Sequence, residues 1–251
     1  MRSARLRVVS ILRAIFIFTS NASEKGERLM TRNQLCSASK SLMIAMFILG
    51  FGLISSASAQ ENRIVNPQWT KAAWATWKSW DGNNPGTVVG TIVIDKRKIT
   101  VTYTGEVSFV QLKGNGTNYY LPTSTFSCAT VPNAPKGGNM IAISGTSDPH
   151  TFTFSTPVRH PVMAIVSLGQ YALAVDYNFS VLPKILVQGP EVYFGGGSDN
   201  LKILHKKTVR GNEGDGLVQL SGRSTSFSWT VGNGEYWNGF TVGVPPPSTE
   251  D

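Results

Sequence analysis

From residue 60 onward, the chain consists of short runs in which apolar and polar residues alternate, separated by Gly, Pro, Asn and Asp. A period of two places successive side chains on opposite faces of an extended strand, so that one face is buried and the other is solvated. The run from Ile99 to Val107 shows the pattern most clearly, because Ile99, Val101 and Tyr103 share one face while threonines take the other. Helical periodicity is nearly absent. The pattern therefore predicts an all-β fold.

About twelve such runs lie in the 192 residues that follow Ala59, with turn residues between them. This spacing is typical of sandwiches and barrels. We expect a single antiparallel β-sandwich with a jelly-roll-like topology. The charged segment Asp95–Lys98 is suited to a four-residue hairpin loop. The segment from Trp69 to Trp80 fits either helical or strand spacing, and its aromatic density favours a strand with a bend.

Residues 1–59 have the pattern of an export signal. An apolar core from Leu42 to Ile54 follows Arg32 and Lys40 and precedes the small residues of Ala57–Ala59. The core has 13 residues, which is short for a membrane span of about 20 residues, so an uncleaved anchor is the less favoured alternative.

We expect cleavage after Ala59, and Met30 offers an alternative translation start ahead of the signal. The mature protein is then extracellular, or alternatively periplasmic, with no stable membrane anchor. It comprises a sandwich domain over residues 60–243 and a disordered, proline-rich acidic tail over residues 244–251.

The net charge of +8 is concentrated in the leader. Residues 1–59 contain 8 basic and 2 acidic residues, whereas the remaining residues contain 15 basic and 13 acidic ones, a net charge of +2. Nucleic-acid binding requires clustered Lys and Arg. The charge count therefore argues against nucleic acid as a partner.

No catalytic motif is present: the chain lacks a nucleophile elbow, a zinc helix, a P-loop and a C-x-x-C pair. A glycoside hydrolase would need two carboxylates about 5 to 9 Å apart, and no local pair of glutamates suggests them. Folding can still bring distant glutamates together, for example Glu106 and Glu235. The sequence gives an enzyme no support, and a carbohydrate-active hydrolase stays an alternative.

Two loop segments combine oxygen ligands with glycines, which raises calcium as a cofactor. The first contains Asp81 and Asn83, and the second contains Glu213 and Asp215. Asp, Asn and Gly are also the ordinary residues of β-turns. The turn interpretation is favoured, and calcium binding is the alternative.

The abundance of aromatic residues after Ala59 is the feature of the sequence that is most informative about function. All six tryptophans lie in this part of the chain. Indole and phenol rings stack on the C–H faces of sugars and lose little entropy on binding. Long loops on a rigid scaffold often carry binding residues, and two such loops cover Lys113–Asn139 and Gly189–Asn200. The exposed candidates in the loops and near the end of the chain are Tyr119, Tyr120, Tyr193 with the adjacent Phe194, Tyr236 and Trp237.

These features predict a secreted, non-catalytic protein that binds extracellular polysaccharide or another glycan. The opposing interpretation places most of the aromatic rings in the core, and Trp229 in particular. A structural or host-interacting protein that binds a surface or host protein is a further alternative. That alternative predicts a contiguous exposed apolar patch.

Several segments resemble exported bacterial modules that often precede a PEP-CTERM sorting signal. They are residues 99–107 (ITVTYTGEV), residues 152–158 with 161–169 (FTFSTPV and PVMAIVSLG), and the closing residues 227–229 and 236–243. The resemblance covers nearly all of residues 64–243 and implies an exported, surface- or matrix-associated β-sandwich of a Gram-negative bacterium. It carries over no catalytic residues. Those modules continue into an apolar helix and a basic end, whereas residues 244–251 read VPPPSTED, so we expect release as a soluble protein.

Overall fold

The computed structural model describes residues 69–146 and 149–247, which belong to one compact unit. These residues form one short 3-10 helix, Thr123–Phe126, and fifteen strands. The strands are Ala73–Trp74 (β1), Thr76–Trp80 (β2), Gly86–Ile94 (β3), Arg97–Gly105 (β4), Phe109–Gln111 (β5), Met140–Ile143 (β6), His150–Arg159 (β7), Val162–Leu168 (β8), Val175–Phe179 (β9), Pro183–Gln188 (β10), Leu201–Leu204 (β11), Thr208–Gly211 (β12), Gly214–Leu220 (β13), Arg223–Val231 (β14) and Asn238–Val244 (β15). The all-β prediction is confirmed. The predicted leader, and residues 248–251 of the predicted tail, lie outside the described residues.

The strands form two antiparallel sheets, as the sandwich prediction requires. A seven-stranded sheet has the order β10-β13-β8-β15-β6-β5, with β1 also paired to β15. An eight-stranded sheet has the order β11-β12-β9-β14-β7-β4-β3-β2. Strands β6 to β9 and β12 to β15 alternate between the sheets, giving β13-β8-β15-β6 in one and β12-β9-β14-β7 in the other. This is the strand order of a jelly roll.

The tryptophan-rich segment is the predicted strand with a bend. Ala73 and Trp74 pair with β15 of the seven-stranded sheet, whereas Thr76–Trp80 pairs with β3 of the eight-stranded sheet. The chain therefore passes from one sheet to the other at Ala75. Helical spacing at these positions is incidental.

The hairpin between β3 and β4 is tighter than the predicted four-residue loop. Ile94 pairs directly with Arg97, which leaves a two-residue turn at Asp95 and Lys96. Both turn residues have left-handed backbones, with φ of 46° and 67°. Such turns match the right-handed twist of the flanking strands, so Arg97 and Lys98 belong to β4.

Aromatic rings fill the space between the two sheets. Trp77, Tyr103, Phe152, Trp229 and Phe240 are each at most 1% exposed. The ring of Trp229 lies 5.1 Å from that of Phe152 and 5.2 Å from that of Phe240. The prediction that Trp229 belongs to the core is confirmed. Apolar burial of this extent is the main stabilising contribution to such a fold.

A second apolar cluster covers the outer face of the seven-stranded sheet. Strand β8 is buried along its whole length, because Met163 and Ile165 face the inner core and Val162, Ala164 and Val166 face outward. The outward residues pack against the long loop between β5 and β6, through Tyr120, Phe126 and Val131. The loop is therefore part of the packed structure. The part of the chain that the structure describes contains no helix with the length and hydropathy of a membrane span.

Candidate functional site

Three separate loops bring aromatic rings together at the end of the sandwich where β8 ends and β15 begins. Tyr119 comes from the loop between β5 and β6, Tyr193 and Phe194 from the loop between β10 and β11, and Trp237 directly precedes β15. Tyr119 is the centre of the group, with ring centroids 5.1 Å from Tyr193, 6.0 Å from Phe194 and 5.3 Å from Trp237. Phe194 also lies 5.1 Å from Trp237. We call these four residues the aromatic platform.

The platform is anchored on its inner side and open on its outer side. Tyr119 and Trp237 are half-buried and pack against the second apolar cluster, and Phe109 supports Trp237 at 5.4 Å. Tyr193 and Phe194 are 46% and 38% exposed. The exposed rings of Tyr193 and Phe194 are thus held in place by half-buried aromatic neighbours.

Four of the six exposed candidates from the sequence lie in the platform: Tyr119, Tyr193, Phe194 and Trp237. The prediction for Tyr120 is wrong, because this side chain is 1% exposed and its hydroxyl donates to the Asn139 carbonyl at 3.2 Å. Burial raises the pKa of Tyr120 well above its usual value. Tyr119 and Tyr120 are adjacent in sequence, yet one faces the platform and the other faces the second apolar cluster.

Tyr236 is 86% exposed, and its main-chain N–H donates to Gln170 Oε1 at 3.1 Å. Among the described residues, no aromatic ring contacts that of Tyr236. It lies beside the platform in sequence and points into solvent.

Glu191 lies beneath the two exposed platform residues and is only 5% exposed. Its Oε1 accepts hydrogen bonds from the main-chain N–H groups of Tyr193 and Phe194, the latter at 2.6 Å. Burial raises its pKa, and the two N–H groups act in the opposite direction. Sequence reasoning missed Glu191, since no local motif distinguishes it from other loop glutamates. The carboxylate fixes the backbone that carries half of the platform.

Further carboxylates lie close to Glu191. Asp215 is 1% exposed, and its Oδ1 accepts a hydrogen bond from the Ser167 main-chain N–H at 2.8 Å. Glu213 Oε2 accepts from the Ser167 hydroxyl at 2.8 Å. Asp215 Oδ2 and Glu191 Oε2 are buried without a hydrogen-bond partner among the described residues. Burial is the main reason that the pKa of Asp215 is raised to about 8. The hydrogen bond from the Ser167 N–H opposes the increase, and the charges of Glu191 and Glu213 add to it.

Glu235 is the fourth carboxylate at this end. Its Oε1 accepts from the Gly169 main-chain N–H and from Asn238 Nδ2, both at 2.8 Å. Burial raises its pKa to about 7 against these two hydrogen bonds, and Glu213 adds to the increase. Two of the four carboxyl groups at the platform end, those of Asp215 and Glu235, therefore have pKa values near or above neutral pH.

The first predicted calcium segment has a different role. Asp81 Oδ1 accepts from the Asn83 main-chain N–H at 3.0 Å, and its Oδ2 accepts from the Thr87 main-chain N–H at 2.9 Å. These bonds lower the pKa of Asp81. Asp81 thus closes the turn between β2 and β3, which is the turn interpretation of its sequence.

The second predicted calcium segment does place Glu213 and Asp215 together around Ser167. Even so, within residues 69–146 and 149–247, no three His, Cys, Asp or Glu side chains form a group that could hold a metal ion. A proton is the simpler partner for a buried carboxyl whose pKa is raised.

The glutamates suggested as a distant pair both approach the end of β6. Glu106 Oε1 accepts from the Ser144 and Gly145 main-chain N–H groups at 2.9 and 2.6 Å, and the Glu235 main-chain N–H donates to the Ser144 carbonyl at 2.8 Å. Glu106 is only 4% exposed. Its carboxylate therefore holds the loop that follows β6 in place.

No family model matches this chain, and neither a curated protein nor a solved structure was found to match it. The resemblance to PEP-CTERM-associated modules stays a prediction from the sequence.

Proposed function

We propose that this protein is an extracellular, non-catalytic glycan-binding protein and that the aromatic platform is its binding surface. The observation that carries the proposal is the convergence of three loops, distant in sequence, on four adjoining rings of which two are 46% and 38% exposed. All four residues were also named from the sequence as exposed binding candidates. The predicted export signal supports an extracellular glycan as the ligand.

The chemistry of the platform suits sugars. The C–H face of a pyranose ring stacks on an aromatic face, and the phenolic hydroxyl of tyrosine is a hydrogen-bond donor and acceptor for sugar hydroxyls. Tyr193 and Phe194 provide exposed ring surface, while Tyr119 and Trp237 fix its position. Pre-organised rings lose little conformational entropy on binding, which leaves more of the stacking energy as affinity.

A glycan-array screen of the purified protein, followed by titration of any hit, tests the proposal. We expect Tyr193→Ala to weaken binding about tenfold, since an aromatic contact and its buried area are lost together. Trp237→Ala removes a supporting ring and should weaken binding by a similar factor. Tyr171→Ala is the matched control, because Tyr171 is a 90% exposed tyrosine outside the platform.

Two results would contradict the proposal. One is a blank array with protein that unfolds cooperatively. The other is a hit whose affinity falls equally in the Tyr171→Ala control. Thermal unfolding of each variant shows whether a loss of binding reflects a loss of folding.

A protein partner is the second candidate function, and Val192 favours it. This aliphatic side chain is 63% exposed next to Tyr193, and it adds apolar area without offering a stacking face. A contiguous apolar patch is a common feature of protein-binding surfaces. Val192→Ser distinguishes the candidates, because it should weaken capture of a protein partner and leave glycan affinity unchanged.

A further inference from the structure

A large cavity lies at the other end of the sandwich. Its volume is about 1060 Å³, and it is lined by residues of both sheets and by the segment Val244–Pro247. Pockets for small ligands typically measure about 300–1,000 Å³. The cavity is therefore large enough for several linked sugar units rather than a single small ion.

The ionisable side chains that line the cavity are all basic. Six basic residues from four parts of the fold line the cavity, and none of its described lining residues is acidic: Arg97, Lys98, Arg159, His160, Lys184 and Arg223. Arg159 and Arg223 are directly opposite each other on β7 and β14. Neighbouring cations on adjacent strands raise the local positive potential. The cavity thus attracts anions, although the sequence after residue 59 is almost neutral.

The cavity and the aromatic platform lie at opposite ends of the same strands. Strand β10 has Lys184 at the cavity, whereas Glu191 follows its other end at the platform. Strand β15 likewise begins after Trp237 and ends at Val244. The cavity is therefore a second site, distinct from the platform.

We propose that this cavity binds an anionic polysaccharide, through carboxylate or sulfate groups on its sugars. Arg forms paired hydrogen bonds with such planar or multi-oxygen anions, and Lys adds mobile positive charge. The lining also contains Thr130, Thr156 and Gln219, whose hydroxyl and amide groups suit sugar hydroxyls. Basic side chains grouped around one partly open cavity fit a polymer segment or chain end better than a nucleic acid, which needs an extended basic track.

The inference does not rest on the proposed function of the platform, because the two sites have separate residues and separate chemistry. The probes are polygalacturonate, dextran as an uncharged polysaccharide, and single-stranded oligothymidylate as an anion without sugar carboxylates. We expect binding of polygalacturonate, none of dextran, and only weak binding of the oligonucleotide. Platform variants such as Tyr193→Ala should leave polygalacturonate affinity unchanged.

Lys184→Gln and Arg223→Gln, one on each sheet, should each weaken polygalacturonate binding about fivefold or more, because each removes one ionic contact. Lys202→Gln is the matched control: Lys202 is an exposed cation on β11 that does not line the cavity. It should bind like the unmodified protein.

The proposal is overturned by no binding of polygalacturonate, by an equal loss in the Lys202→Gln control, or by tighter binding of the oligonucleotide. Binding of dextran with the same affinity as polygalacturonate also overturns it, since charge would then play no part. Thermal unfolding again confirms that each variant is folded.

Discussion

The two ends of this sandwich share the same strands and differ in their chemistry. One end carries four aromatic rings above the buried carboxyl groups of Glu191 and Asp215. The other end surrounds a cavity of about 1060 Å³ with basic side chains. A jelly roll brings the loops of many strands together at each end, so each end can acquire its own surface independently of the core.

The difference shows how charge can be separated without changing the total. The residues after position 59 have a net charge of only +2, yet acidic side chains collect at one end and exposed basic side chains at the other. At the platform end, burial raises the pKa values of Glu191, Asp215 and Glu235 because it disfavours the charged form. The arginine and lysine side chains at the cavity are exposed to solvent. We therefore expect the first end to respond to pH and the second end to respond to salt.

The largest expected effect is at the platform end, on replacing Asp215 by Asn. The pKa of Asp215 is raised to about 8 in the folded protein, from its ordinary value of 3.8. Between these two values the unfolded chain releases this proton and the folded protein keeps it, so rising pH favours unfolding. Asp215→Asn retains the acceptor for the Ser167 N–H and lacks this penalty.

The variant should match the unmodified protein near pH 4 and exceed its unfolding free energy by up to about 5 kcal/mol at pH 8. Urea unfolding across this pH range is the measurement. A variant that is less stable at pH 8 would show that the charged carboxylate has a stabilising partner. That result would contradict the proposed difference between a platform end whose carboxyl groups hold protons and a cavity end that binds anions.

The second prediction concerns salt and addresses the cavity end. Raising the salt concentration from 0.05 to 0.5 M should weaken polygalacturonate binding by more than about tenfold, because ionic contacts to a polyanion release counterions. Glycan binding at the platform should change far less over the same range. Titrations of both ligands in the two buffers make the comparison. Equal salt dependence at both ends would show that the two surfaces are not chemically distinct.

How far the sequence predicted this contrast depends on the range of the interactions involved. Period-two alternation is local, and it predicted most of the strands and the core position of Trp229. Aromatic density, which is also local, predicted a strand with a bend between Trp69 and Trp80, and the structure places the bend at Ala75. The exposure of Tyr193, beside a glycine-rich segment, was also predicted, whereas Trp237, which was predicted to be exposed, is half-buried. The prediction that Tyr120 is exposed was wrong, because a long loop that packs onto a sheet has a buried side. The sequence alone does not say which residues of the loop face the sheet.

The cavity was missed for a physical reason of another kind. Lys184 and Arg223 are far apart in sequence, and only strand order brings them to one end of the sandwich. Net charge is an average over the chain, so it hides a local cluster whose members are balanced by acids elsewhere. Glu191 was missed for a different reason. Its hydrogen-bond partners, the Tyr193 and Phe194 N–H groups, are close in sequence, but no motif distinguishes Glu191 from other loop glutamates.

The third prediction tests whether Glu191 positions the platform. Glu191→Ala removes the acceptor for the Tyr193 and Phe194 N–H groups, so the exposed rings lose their fixed backbone, and we expect about threefold weaker glycan binding. Glu191→Gln keeps a carbonyl acceptor and should restore most of the affinity. Titration of a platform glycan measures both variants. Equal losses in both variants would show that the charge, rather than the positioning of the loop, supports binding.

The smallest expected effect is that of calcium on thermal stability. Its measurement distinguishes a proton from a metal cation as the partner of the buried carboxyl groups. Asp215 Oδ2 and Glu191 Oε2 have no hydrogen-bond partner among the described residues, and a buried carboxyl group requires either a proton or a cation. The raised pKa of Asp215 favours a proton as the partner. A ligand stabilises a protein only when it binds the folded state. We therefore expect that calcium at about 1 mM leaves the melting temperature unchanged at pH 7. A calcium-dependent increase that Asp215→Asn abolishes, and that Asp81→Asn retains, would identify a cation as the partner. The platform end would then be a metal-stabilised surface, and its contrast with the basic cavity would be one between a bound cation and a bound anion.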